Sequence, residues 1–141
     1  MAQDFLYQMY RDLALSITCQ KYRGNLIAAK PLVLICICDA IKQGLVKNNR
    51  IPLDVIKSLY HVYQEKLKVT TPFNYPFYFL ESESFYHLRW KVEKIGTKAP
   101  SMAMLRQNIE YAYLDNALWD MLQDLDICDK FRDSIEEHYL N

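Results

Sequence analysis

Basic side chains interleaved with aromatic rings are the residues of this chain best suited to chemistry with a ligand. Tyr75, Tyr78, Tyr86 and Trp90 cluster in one stretch, and Lys30, Arg89, Lys91, Lys94, Lys98 and Arg106 lie in or beside adjoining segments. Lysine and arginine neutralise phosphates, while aromatic and apolar surface contacts sugars and bases. The pattern therefore suits a polyanion-binding face. A plainer account reads the tyrosines as half-buried core and the lysines as surface hydration, and residue types alone favour that account.

Other chemistries find less support. The histidines are His61, His87 and His138, with no HExxH and no pair at metal-ligand spacing. His61 lies beside an apolar helical stripe, where a histidine is ordinarily a surface or core-edge residue. Three glycines leave no GxGxxG or P-loop to cradle a phosphate, and no GxSxG is present. Glu136-Glu137 and Asp124-x-Asp126 sit in an acidic region with nothing to bring them to one cleft, so paired-carboxylate catalysis is not expected. Neither a metal nor a cofactor is expected, and the chain is not expected to be an enzyme.

Charge is distributed unevenly. The 17 Lys and Arg balance the 17 Asp and Glu, which by itself argues mildly against nucleic acid. Residues 1–108, however, carry 15 basic against 8 acidic side chains, and residues 109–141 carry 2 against 9, so the halves stand at +7 and −7. A basic body with an acidic C-terminal region has a strong charge dipole. Cys19, Cys36, Cys38 and Cys128 include no CxxC and no Cys/His cluster, and read as buried thiols of a reducing cytoplasm. The polar start Met1-Ala2-Gln3-Asp4 lacks the basic region of a leader, and no apolar run reaches membrane-spanning length.

The elements that must position these residues are mostly helical. At 141 residues, with half of them apolar, the chain is expected to form one domain, 1–141. Residues 4–18 read as an amphipathic helix capped by Asp4, with Phe5, Leu6, Met9, Leu13 and Ile17 on helical spacing. Residues 19–29 are polar and basic, with a turn at Gly24-Asn25. Pro31 suits a helical first turn, and the length to Gly44 favours a buried helix over a strand despite Val33, Ile35 and Ile37. A further helix runs from Pro52 to about Lys68, with Val55, Ile56, Leu59, Tyr60, Tyr63 and Leu67 as its stripe. Two aromatic runs, 76–80 and 85–90, flank the polar tip Glu81-Ser82-Glu83-Ser84 and read as a β-hairpin. After a basic loop over 91–100, Ser101 caps a helix carrying Met104, Leu105 and Ile109. Helices near 115–124 and 128–139 follow, with Asp115 and Asp126 as caps and Leu118, Trp119, Leu122, Phe131 and Ile135 as core. The expected fold class is mainly α (α+β), a helical domain with one short β-hairpin between two helical halves, in the manner of a winged helix.

One set of residues carries a resemblance. Lys30-Pro31-Leu32-Val33-Leu34, Asp39-Ala40-Ile41, Asn49-Arg50-Ile51-Pro52-Leu53, Tyr75-Pro76-Phe77 with Leu80, Phe85-Tyr86-His87-Leu88, and Leu118-Trp119-x-x-Leu122 together resemble the sulfur-binding domain at the front of McrA-type HNH restriction endonucleases. The resemblance runs from about residue 5 to 139, through short and mostly apolar motifs. It implies recognition of phosphorothioate-modified DNA, in which sulfur replaces a non-bridging phosphate oxygen. The sulfur is larger, softer and less strongly hydrated than oxygen, so a shallow apolar cavity favours it over an oxyanion.

The resemblance implies a sulfur cavity built by Tyr75 and Pro76, lined also at Phe79, and a DNA contact from Lys30. Arg89, Lys91, Lys98, Ser101 and Arg106 complete the expected DNA-binding set at the rim. Two positions depart from the pattern. Ala29 stands where a histidine often precedes the basic residue, and Phe79 stands where a small residue often lines the cavity, a change that narrows or fills it. The HNH half does not appear by Asn141, so cleavage is expected from a separate nuclease partner. The implied function is a DNA-binding module of a restriction or defence system, cytoplasmic and not membrane-bound, with double-stranded DNA as partner. The alternative is a protein-interaction module of the same fold that uses the acidic C-terminal region.

Overall fold

The computed structural model describes residues 2–140; Met1 and Asn141, the ends of the expected domain, lie outside them. Seven helices among the described residues, α1 (Ala2–Ala14), α2 (Ala29–Lys42), α3 (Leu53–Leu67), α4 (Asn74–Phe79), α5 (Met102–Asn108), α6 (Asn116–Leu122) and α7 (Leu125–Leu140), accompany two small antiparallel sheets. One sheet pairs β1 (Lys21–Tyr22) with β2 (Asn25–Leu26), and the other pairs β3 (Tyr86–Trp90) with β4 (Ile109–Leu114). The mainly α class with some β therefore holds. No helix among the described residues is long and apolar enough to cross a membrane.

Helix α2 is the centre. Leu32 through Cys38 are each no more than 2% exposed, so the helix has no solvent face and its β-branched residues are accommodated by packing on all sides. It packs on α3, α4 and α7. Gly44, at φ 71, ends it: Leu45 N–H bonds to Ala40 O and Gly44 N–H to Ile41 O, the paired bonds of a glycine-terminated helix. Cys36, Cys38 and Cys128 are buried free thiols in the same core, and Cys19 is half-buried.

Helix α1 is shorter and turned differently from expectation. It begins at Ala2, which puts Asp4 inside its first turn instead of ahead of it, and it ends at Ala14. Tyr139 from α7 closes that end, its hydroxyl donating to Ala14 O (2.7 Å) and accepting from Ile17 N–H (3.1 Å). The buried side holds Tyr10 and Ala14, while Phe5, Met9 and Leu13 face solvent. Of the expected stripe only Leu6 and Ile17 pack on the core; Tyr10 brings its ring to the buried side and its hydroxyl donates to Asp115 (2.9 Å).

The expected hairpin over 76–80 and 85–90 is corrected. Its first arm is helix α4, followed by a 3₁₀ turn over Leu80–Ser82; only the second arm is a strand, and it pairs with β4. Pro76 sits in the first turn of α4, where a missing N–H costs no helical hydrogen bond. Phe73, Phe77 and Leu80 recur at helical spacing and are all buried, which outweighs the local alternation. The helix assigned through Ile109 stops at Asn108, because Ile109 and Ala112 enter the core from an extended chain. Tyr86 and Leu88 face inward opposite Leu114 and Ala112, while His87 and Arg89 lie outward opposite Tyr113 and Tyr111. Ile51 bridges Ala112 on the other edge, and Asn49 extends that edge with side-chain bonds to Leu114 O (2.7 Å) and Leu114 N–H (2.9 Å).

Two caps also differ. Asp115 stands at the N-terminus of α6, but its carboxylate takes Tyr10 and His87 (2.6 Å) and makes no side-chain cap. Asp124, not Asp126, accepts the first N–H groups of α7, at 3.0 Å from Asp126 N–H. Ser101 caps α5 as expected, accepting Met104 N–H at 3.1 Å.

A polar knot ties α2, α3 and α7 at their surface. Arg132 Nε lies 2.6 Å from Asp39 Oδ1, Nη1 lies 2.8 Å from Glu136 Oε2, and Nη2 donates to the Tyr63 hydroxyl at 2.7 Å. The Tyr63 hydroxyl in turn donates to Asp39. Arg132 and Asp39 expose only 15% and 12% of their side chains, so removing one partner strands the other. Arg132→Met is expected to destabilise the fold by about 3 kcal/mol, and the double change Arg132→Met, Asp39→Leu by less than the sum of its parts. Urea unfolding of the single and double variants checks this; additive losses would show that the pair does not act as a unit.

Candidate nucleic-acid interface

Helix α4 carries two faces. Phe77 points into the core against Tyr86, whose buried hydroxyl donates to Phe77 O at 2.7 Å. Tyr75 and Phe79, four residues apart, stack on the other side with ring centroids 6.3 Å apart, and Phe79 meets Tyr78 edge-on at 5.0 Å. Because α4 packs on α2, this second face stands beside the first turn of α2, which bears Lys30.

Between them lies a cleft of about 640 Å³. Tyr75, Pro76, Phe79, Ile27, Ala29 and Cys19 give it apolar walls; Thr18, Gln20, Thr71 and Ser82 add polar atoms, and Lys30 and Lys98 supply positive charge. Phe79 is thus one wall of an existing cleft, braced by its ring contacts, and does not fill it. The size falls within the range of ordinary ligand sites.

The electrostatics of the cleft are mixed but lean positive. Lys30 Nζ lies 3.4 Å from both Thr18 O and Ser82 Oγ, long contacts that leave the ammonium available to a better partner. Among the described residues neither Lys30 nor Lys98 pairs with a carboxylate. The first turn of α2 has no side-chain cap, so its N–H groups add to the positive field. Glu83 opposes them: Ser82 Oγ lies 3.5 Å from its carboxylate. The Cys19 thiol registers these charges, its pKa raised first by burial, with Lys30 acting downward and Glu83 upward.

The 91–100 segment that carries Lys98 is held by α4. The Tyr78 hydroxyl donates to Ile95 O (2.7 Å) and accepts from Thr97 N–H (3.2 Å), and Asn74 Nδ2 donates to Pro100 O (2.6 Å). Glu81 fixes the turn beyond α4, accepting Leu88 N–H at 3.1 Å and pairing with Lys94 at 2.9 Å.

Five of the expected site residues, Lys30, Tyr75, Pro76, Phe79 and Lys98, therefore meet at one cleft, and four do not line it. Arg89 faces Glu110 across the outer sheet surface (3.8 Å), and Arg106 pairs with Asp54 (2.8 Å). Lys91 donates to Arg106 O (3.1 Å), and Ser101 is engaged as a helix cap. The residues missed were Thr18, Cys19, Gln20, Ile27, Thr71 and Ser82. Apart from Ser82, which ends the 3₁₀ turn, they sit on irregular segments, and no periodicity in the sequence marks which side faces the cleft. Among the described residues no group of three or more His, Cys, Asp and Glu side chains is placed to hold a metal ion.

No family model matches the chain, and no curated protein matches it. Among solved structures, the fold is similar to that described as the Type IV phosphorothioation-dependent restriction endonuclease ScoMcrA, with a TM-score of 0.70 and 13% identity. The similarity covers 93% of this chain and 29% of that one, so this chain spans less than a third of the other's length. At that identity the likeness is one of fold.

The positioning of Lys98 yields a test. Tyr78→Phe removes both loop contacts of the hydroxyl and is expected to cost about 1 kcal/mol of stability. It is also expected to raise amide hydrogen exchange locally over 95–98. Unchanged exchange there would mean that other contacts hold the loop.

Proposed function

We propose that this chain is a DNA-binding module that recognises a phosphorothioate linkage in double-stranded DNA, as one component of a restriction or defence system. The observation that carries the reading is the convergence of Tyr75, Pro76 and Phe79 with Lys30 and Lys98 on one cleft. The family resemblance implies Tyr75, Pro76, Phe79 and Lys30, and they line one cleft although helix α4 stands where a strand was expected. The similarity to a phosphorothioation-dependent endonuclease supports the same reading.

In this account the sulfur sits against the rings of Tyr75 and Phe79 and the edge of Pro76. An oxygen held against those ring faces loses hydration and meets no hydrogen-bond donor there, which disfavours the unmodified linkage. Lys30 and Lys98 neutralise the charge of that linkage or its neighbour. Arg89 and Arg106 act farther out, where their exposed ion pairs exchange easily for phosphate contacts, and Lys91, held only by a backbone carbonyl, joins them. Recognition belongs to this chain, and hydrolysis to a nuclease that acts with it.

Binding to a short duplex with and without a single stereo-defined phosphorothioate tests the proposal. The modified duplex is expected to bind more tightly, and Tyr75→Ala to reduce that preference more than it reduces binding to plain DNA. Equal loss for both duplexes would contradict a sulfur cavity. Absence of binding to either at low salt would favour the protein-interaction module, with the acidic C-terminal region 109–141 as its contact.

Charge substitutions give an independent check. Lys30→Ala is expected to weaken binding and to reduce the slope of log affinity against log salt by about 0.9, the contribution of one phosphate. Glu83→Gln is expected to tighten binding by removing the carboxylate that stands beside Ser82 at the cleft. Arg106→Ala is expected to matter less than Lys30→Ala. Titrations at several salt concentrations decide, and an unchanged slope in Lys30→Ala removes that lysine from the contact set.

A further inference from the structure

The cleft does not end at its own walls. Ile27 and Thr71 also line a second cleft, of about 690 Å³, so the two are neighbours across a shared ridge. The second is bounded by Tyr22 of the β1–β2 hairpin, the end of α3 and the last turn of α7. Lys68 and Thr70 stand on its rim.

Two features of this rim point to a polyanion. Lys68 terminates α3 in the left-handed conformation, φ 57, with its N–H on Gln64 O and its side chain exposed. The hairpin turns through Arg23 (φ 52) and Gly24 (φ 82), a tight two-residue loop that places Arg23 next to Lys21 and Tyr22 of β1, the Arg23 guanidinium 5.3 Å from the Tyr22 ring centre. Among the described residues none of Lys21, Arg23 and Lys68 pairs with a carboxylate, in contrast to Arg89, Arg106 and Lys94. Glu83 is a counter-charge on this side: burial first raises the pKa values of Tyr139 and Cys19, and Glu83 adds to both. Lysine, threonine and tyrosine side chains are the usual donors to phosphate oxygens.

We propose that the two clefts form one track for the sugar-phosphate backbone of duplex DNA, in which Lys68 holds a phosphate flanking the linkage seated at Tyr75. This rests on the reading of the first cleft given above. The site therefore reads modification at one end and measures strand continuity at the other, so affinity depends on duplex length on the side that reaches Lys68.

The test compares two phosphorothioated duplexes, one short and one extended by several base pairs on each side, bound to the wild-type chain, Lys68→Asn and Lys68→Arg. Asparagine tolerates the left-handed conformation, so the first variant removes charge without removing the helix end. The wild type is expected to bind the longer duplex more tightly. Lys68→Asn is expected to lose that gain, with the salt slope on the longer duplex falling by about 0.9 and the slope on the short one unchanged. Lys68→Arg is expected to retain both. If the wild type binds and Lys68→Asn matches it on the longer duplex in affinity and slope, the track is wrong and the first cleft stands alone. If the wild type binds neither duplex, both readings fall.

Discussion

Helix α2 is buried around its whole circumference, and that requirement organises the molecule. A helix without a solvent face must be covered on every side, and here α3, α7 and α4 provide the cover. The arrangement has a functional consequence because only the ends of α2 reach the surface. Its C-terminal end is closed by Gly44. Its N-terminal end carries Lys30, and the short helix that covers that end, α4, brings Tyr75, Pro76 and Phe79 beside it. The candidate site is thus a by-product of burying the central helix: the same packing that shields Ile35 and Ile37 sets the distance between a lysine and a pair of stacked rings.

The charge asymmetry of the sequence also acquires a structural meaning. Much of the acidic C-terminal region is spent on internal contacts: Asp115 on Tyr10 and His87, Asp129 on Lys42, and Glu136 on Arg132. The basic body is divided. Arg11, Lys42, Arg89, Lys94 and Arg106 are matched to carboxylates, and of the basic side chains that are not, Lys21, Lys30, Lys68 and Lys98 lie in or beside the two clefts. A zero net charge therefore coexists with four lysines free of carboxylate partners in or beside two neighbouring clefts, opposed there by Glu83.

How much of this was legible in the sequence depended on which force decided each element. The length of the apolar run, Pro31 and Gly44 located α2, and Ser101 located α5, because caps and helix ends are written in local residue types. The aromatic run from Tyr75 misled, since alternation over five residues suits a strand while Phe73, Phe77 and Leu80 suit a helix, and only the surrounding core decides between them. The β3–β4 pairing joins segments separated by a loop and a helix, a contact that no local pattern encodes. The family resemblance, and not residue types alone, pointed to Lys30, Tyr75, Pro76 and Phe79, and Lys98 came from the basic loop beside them; all five line the cleft whichever element presents them. Sequence pattern also proposed Arg89 and Arg106, because an arginine's ion-pair partner, here Glu110 or Asp54, is invisible before folding.

The central claim is that DNA is held at the α2–α4 cleft. Mapping backbone amide resonances on addition of a phosphorothioated duplex tests it most directly. The account predicts shifts concentrated at residues 18–20, 27–30, 71–79 and 98. Shifts confined to the outer sheet face around Arg89 and Tyr111, or to the acidic surface of α7, would contradict it.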